Sequence, residues 1–202
     1  MTADQDPQQA KNHLRRRAYD ARAAQTDRAE LSERILSRVK ALPEYQSAQT
    51  VLWYISCRSE VVTHQALERE LDSARRIVVP YCTRDSDGAP VLGLWQLTAM
   101  DELAPGTWNI LEPPPERWAE PERQVMPDEL DLILVPGVAF SPNCDRLGNG
   151  AGYYDRLLSL TRPDCLHVGI GFECQLFENI PVEPHDRPLH RVVTEHSIRS
   201  RT

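Results

Sequence analysis

The chain has 202 residues, 41% hydrophobic and 26% charged, enough apolar material for one sizeable core and too little length for two large domains. Its 23 basic against 30 acidic residues leave a formal charge of −7, which argues against a general duplex-binding surface and means that any bound anion is met by local cations. The longest apolar runs, Val51 to Ile55 and Leu132 to Val135, fall far short of the roughly 20 residues that a membrane-spanning helix needs.

The N-terminus is polar and acidic, with no basic-then-apolar leader, so residues 1–10 are expected to form a disordered tail and the protein to be cytoplasmic. Residues 8–42 carry nine Lys/Arg against four Asp/Glu, with Leu31, Ile35, Val39 and Leu42 at helical spacing, which predicts a helix stopped by Pro43. Thr50 to Ile55 is β-branched and aromatic and reads as a buried strand. Thr63 is placed to cap a helix through Ala66, Leu67 and Leu71. Arg76 to Tyr81 is the next strand, and Asp87-Gly88 turns it into Val91 to Leu97 as a hairpin edge.

From Met100 through Asp131 the chain has nine acidic residues, two arginines and six prolines, so residues 101–129 are expected to wrap the surface as an acidic Pro-rich segment. A strand over Leu130 to Val135, a Gly-rich loop, a helix over Tyr153 to Leu160 and a strand over Leu166 to Ile170 follow. Alternating strands and helices predict a single α/β domain over 1–202, three layers with a mixed, largely parallel sheet between helices. The five cysteines, at 57, 82, 144, 165 and 174, are odd in number and lack a Cys-x-x-Cys pair, which predicts reduced, mostly buried thiols.

Chemistry concentrates in Val135 to Arg156, after a buried strand and before a helix, where phosphates collect in open α/β sheets. Gly148, Gly150 and Gly152 let backbone amides approach an anion, and Arg146 adds a charged fork. Neither common glycine motif fits. Tyr153 stands where the dinucleotide fingerprint needs its third glycine, and no lysine follows Lys40 to complete a Walker loop. On position alone Asp155 has two equal readings: a ligand of hydrated Mg²⁺ beside phosphates, or a carboxylate stabilising a helix N-terminus.

The string from Arg146 to Arg156, with Val135 to Phe140 before it, resembles the signature of the 5-formyltetrahydrofolate cyclo-ligase family. Lys11 to Arg16, Glu60 to Thr63, Gly106 to Pro113, and His185-Asp186 with Val192 to Glu195 are similar, in order, to the family's other segments, so the resemblance spans residues 11–195. Departures are Ser141, Cys144, Asn149 and His190, with Asn149 standing where a longer side chain, often Arg, is common.

The resemblance implies ATP-dependent closure of 5-formyltetrahydrofolate, with or without a polyglutamate tail, to 5,10-methenyltetrahydrofolate, with Mg²⁺ as cofactor and ADP and phosphate released. It implies that Lys11, Asn12, His13, Leu14 and Arg15, together with Arg146, Leu147, Gly148, Asn149, Gly150, Ala151, Gly152, Tyr153 and Tyr154, bind ATP. Asp155 and Asp186 would hold the metal. Ile55, Glu60, Trp108 and residues 149–153 would bind the folate, with Arg146, Tyr153 and Asp155 as the catalytic group. Duller alternatives stand beside these: Trp108 as an anchor for its loop, Lys11 and Arg15 as a solvated helix face, and His185 as a structural partner. A phosphosugar- or acyl-CoA-handling enzyme would need a nucleophile or acid/base residue at a strand end, so the main rival is a non-catalytic nucleotide- or folate-binding regulator. A monomer binding neither nucleic acid nor membrane completes the expectation.

Overall fold

The structure, a computed structural model, describes residues 6–201. Helix α1 (Pro7–Ala23) starts from Asp6, whose carboxylate accepts from the Gln8 amide at 3.1 Å, with proline in the first turn where its missing N–H costs nothing. The tail expected over residues 1–10 thus gives way to helix at Pro7, and residues 1–5 lie outside the described residues. The single helix expected over 8–42 is two helices. Asp27 adopts a left-handed conformation at φ 54°, and α2 (Arg28–Lys40) begins after it. Ile35 and Val39 are buried on α2 as their spacing predicts, while α1 buries a face of its own, Lys11, Leu14, Ala18 and Arg22. Pro43 ends this region and also opens α3 (Pro43–Ser47).

Strand β1 (Thr50–Leu52) is shorter than the apolar run that contains it. Thr63 precedes α4 (His64–Leu71) as expected, but its hydroxyl donates to the Tyr54 carbonyl at 2.9 Å instead of capping the helix, tying the chain beyond β1 to the helix start. Then come β2 (Arg76–Arg84), β3 (Pro90–Gln96), β4 (Leu132–Pro136), α5 (Tyr153–Leu158), β5 (Leu166–Ile170), β6 (Arg191–Val193) and β7 (Ile198–Ser200). Among the described residues these strands make one seven-stranded sheet in the order β7-β6-β5-β4-β1-β2-β3. The pairs from β6 to β2 are parallel, and antiparallel β7 and β3 close the edges, so the sheet is mixed and largely parallel.

Alternation along the central strands feeds two cores. Val51, Ile77, Val79, Leu132 and Leu134 pack with α2, α3 and α4 on one face, while Leu52, Val78, Ile133 and Val135 pack with α5 on the other. A third cluster joins Leu14 and Ala18 of α1 to Val138, Ala139, Leu147 and Ile180. The acidic Pro-rich segment lies along β3: Gln96 N donates to Arg123 O at 2.7 Å and Val125 N to Leu94 O at 3.1 Å, which covers an otherwise open sheet edge. The guanidinium groups of Arg117 and Arg123 sit over the fully buried Trp95 ring, and Trp118 stacks on Tyr81 with centroids 4.5 Å apart. Strand order reverses between β1 and β4, so the chain leaves their C-terminal ends in opposite directions and opens a crevice there.

Candidate active site

That crevice is a cavity of about 380 Å³. Its walls take Tyr54 and Ile55 from beyond β1, Cys82 from β2, Lys11 and Arg15 from α1, and Glu60, Trp108, Glu112, residues 146–155 and Asp186 from loops and from the start of α5. Residues far apart in the chain thus converge, including nearly every candidate for phosphate, metal and folate. Asn12, His13 and Leu14 are the exceptions. Leu14 is buried in the third cluster, and Asn12 and His13 face solvent, Asn12 accepting from Arg15 Nη1 at 2.7 Å.

One end of the cavity is cationic. Arg146 is only 7% exposed, and its Nη2 reaches both Asp155 oxygens at 3.0 Å. Its Nε is buried without a hydrogen-bond partner among the described residues, a donor left over in a side chain that packs against Gly148. Arg15 Nε donates to Gly148 O at 2.9 Å, and Tyr19 donates to the Asn149 side-chain oxygen, so α1 pins the loop. Gly150 and Gly152 have φ of 102° and 69°, conformations that other residues rarely adopt. Cys144 holds φ 65° just before the loop, at a position where glycine would be easier.

Lys11 Nζ lies 2.5 Å from Asp186 and 2.8 Å from Glu183. Burial by itself pushes the Lys11 ammonium down, but hydrogen bonds and charge from Asp186 and Glu183 together hold it above the usual lysine range. Asp186 shows the converse: burial pushes its carboxyl up, and Lys11 with the Glu183 amide holds it below the usual range. The Arg187 amide donates to Asp155 at 3.1 Å, so the loop bearing Asp186 is tied to the start of α5.

The other end is lined by aromatic rings and carboxyls. Tyr54 is buried, its hydroxyl donating to Val61 O at 3.1 Å. Glu60 accepts from the Cys57 amide at 3.0 Å, and burial raises its carboxyl against the opposing pull of that amide and of Arg22 and Arg58. Burial also pushes the Cys57 and Cys82 thiols up to about 11, which keeps both neutral. Trp108 is 63% exposed on the rim and meets Tyr153 edge to face at 6.4 Å. It therefore does not anchor its loop to the core; the stacked Trp118 does.

Asp155 and Asp186 line the same cavity, but the tightest group of metal-type donors among the described residues is Glu183, His185 and Asp186, whose ligand atoms lie within 4.8 Å of one another. Hard carboxylate oxygens beside a cationic glycine loop suit Mg²⁺, which takes one or two carboxylates with phosphate oxygens and water. Both aspartates currently neutralise a cation of the same wall, Arg146 or Lys11. His185 is an exposed neighbour of Asp186 at 3.6 Å.

Sequence reasoning missed Tyr19, Cys82, Glu112 and Glu183. Glu183 had a local signal, an acid three residues before Asp186. The other three had none, because their place in the site depends on packing alone.

The chain matches the family model described as the 5-formyltetrahydrofolate cyclo-ligase family over residues 7–195. It is 32% identical over 171 residues to 5-formyltetrahydrofolate cyclo-ligase of Escherichia coli, covering 82% of this chain and 88% of that one. The solved 5,10-methenyltetrahydrofolate synthetase of Aquifex aeolicus superposes with a TM-score of 0.78 at 33% identity, over 94% of this chain and 92% of that one. A synthetase from Mycoplasma pneumoniae shares the fold, with a TM-score of 0.69 at 22% identity over 92% of this chain and 98% of that one.

Proposed function

The chain belongs to the 5-formyltetrahydrofolate cyclo-ligase family, and on that premise we propose that it closes 5-formyltetrahydrofolate to 5,10-methenyltetrahydrofolate with ATP as phosphoryl donor, releasing ADP and phosphate. It is a ligase, and a non-catalytic regulator gives way with the family assignment. The observation that carries the ATP-dependent reading is the union, in one cavity, of a guanidinium-and-glycine wall with an aromatic-and-carboxyl pocket. One end suits a triphosphate and the other a pterin, and a phosphoryl group moves only between partners held together.

A formyl oxygen leaves poorly. Transfer of the γ-phosphoryl group onto it makes it a phosphate leaving group, and the work left to the protein is positioning and charge neutralisation. Lys11, Arg15 and Arg146 would exchange their present partners for phosphate oxygens, with the amides of residues 148–152 around them. Glu60 would accept from the N–H edge of the pterin, and Ile55, Trp108 and Tyr153 would pack on its ring. Asp155 and Asp186 would hold Mg²⁺, whose charge neutralises the phosphate oxygens. Among the described residues no helix is long and apolar enough to cross a membrane. A cytoplasmic monomer of one domain, acting on mono- or polyglutamylated folate, belongs to the same proposal.

The test is an absorbance assay for the conjugated methenyl product with purified protein, formyl folate, ATP and Mg²⁺, each omitted in turn. Product is expected only in the complete mixture. ATP consumption that is equally fast without folate, and no product in any mixture, would overturn the reading.

A further inference from the structure

Ring closure has a proton to dispose of. Once the formyl oxygen carries phosphate, the N10 lone pair forms a bond to the one-carbon unit. The C–O bond then breaks with its electron pair leaving on phosphate, and the N10 hydrogen departs as a proton, so that the methenyl cation spans N5 and N10. At the cationic end of the cavity Lys11, Arg15 and Arg146 only donate, Asp155 and Asp186 are bonded to two of them and are the residues proposed for the metal, Glu183 pairs with Lys11, and His185 is exposed beside Asp186. At the other end Glu60 is the partner proposed for the pterin. One further carboxyl lines the cavity there. Glu112 is 5% exposed, on the strap that carries Trp108, and forms no ion pair among the described residues. The strap makes room for it: a Cβ on Gly106 would come within 2.8 Å of Glu112 Oε2.

We infer that Glu112 is the general base that takes the N10 proton as the ring closes. The inference rests on the cyclo-ligase reading proposed above. The groups facing this carboxyl are the amide and hydroxyl of Thr107 from its own strap and the amide and thiol of Cys82 from β2. Tyr153 of α5 lies behind the thiol, with Arg84 and Arg156 near that phenol. Burial lifts the Glu112 carboxyl above the ordinary range against the opposing influence of Thr107 and Cys82, which makes it a stronger base than an exposed glutamate. The balance closes: the carboxylate becomes a carboxylic acid, phosphate carries away the C–O electron pair, and the proton is released to water after the product leaves.

The experiment is single-turnover methenyl formation at saturating ATP, Mg²⁺ and formyl folate across pH 5 to 8. The expected result for the unaltered protein is a rate that falls on the acid side with one proton. Glu112→Gln is expected to slow closure by about 10² to 10⁴ and remove that acid limb, with folate affinity within a few-fold. Glu112→Asp keeps a carboxylate and is expected to retain the limb and to outpace Glu112→Gln, whereas a residue that merely braced the strap would tolerate the isosteric Gln better. Glu60→Gln at saturating folate keeps the limb. A flat profile in the unaltered protein, full-rate closure by Glu112→Gln, or Glu112→Gln faster than Glu112→Asp would each overturn the assignment. No methenyl product from the unaltered protein would instead bring down the cyclo-ligase reading itself.

Discussion

At the α1 end of the cavity the cations already hold partners: Lys11 has Asp186 and Glu183, Arg146 has Asp155, and Arg15 has the Gly148 carbonyl. At the other end Glu60 and Glu112 are lifted by burial, with amides and distant arginines only partly offsetting it. The same loss of water acts on both ends, and the outcome differs because only the first end supplies opposite charge at hydrogen-bond distance. On the proposed reading a triphosphate would enter by exchange, taking cations from carboxylates that would then be free for a metal ion. A pterin would enter a pocket whose acids are raised by burial, where shape and hydrogen bonds select.

At the cationic end the largest effect is expected at Arg146. Arg146→Ala removes the proposed phosphate fork and leaves Asp155 without its cation, and turnover should fall by about 10³, about 4 kcal/mol of transition-state stabilisation. Steady-state kinetics on folded protein would test it, and a fall of less than tenfold would mean that the cationic end does not hold the reacting phosphate. Asp155→Asn should fold, because it sits near a helix start where Asn is tolerated, yet lose about 100-fold in turnover at fixed Mg²⁺. Partial recovery on raising Mg²⁺ would mark the loss as a metal effect.

Glu60→Gln should weaken folate binding by about 10- to 100-fold, the equivalent of one charge-assisted hydrogen bond, and leave ATP affinity alone. Because the Glu60 carboxyl is raised, it protonates and stops acting as a full acceptor as pH falls through that raised value. The gap between unaltered and Glu60→Gln protein should therefore close on the acid side, read by folate titrations at several pH values. An ATP affinity that moves with it would erase the distinction between the ends. The smallest effect is expected at Asn149, exposed on the loop and bonded to Tyr19. Asn149→Arg should tighten ATP binding a few-fold at low salt and less at moderate salt, since it adds a screened charge and gives up the Tyr19 contact. Equal affinity at both salts would place residue 149 away from the phosphates.

Local chemistry carried much of this molecule. Runs of Val, Ile, Leu and Trp bounded by turn residues marked the strands, and the spacing of Ile35 and Val39 marked the buried face of α2, because pleat and helix period act over a few residues. The glycine loop with Arg146 was legible for the same reason, since its conformational demands lie within one short segment. The break at Asp27 escaped because no proline or glycine stands there and the helical pattern resumes after it. Leu14 looked like a neighbour of Lys11 and Arg15 and faces the core, because which side of α1 meets the cavity is set by Val138, Ala139, Leu147 and Ile180 packed against it.

Strand order, the switch point between β1 and β4, and the pairing of Arg146 with Asp155 and of Lys11 with Asp186 belong to the tertiary structure. So does Glu112, one acid among nine in a Pro-rich stretch until the strap folds it beside Cys82. Sequence specifies what each segment prefers locally. Which charge meets which, and which carboxyl loses its water, is decided only when segments more than a hundred residues apart close around one cavity.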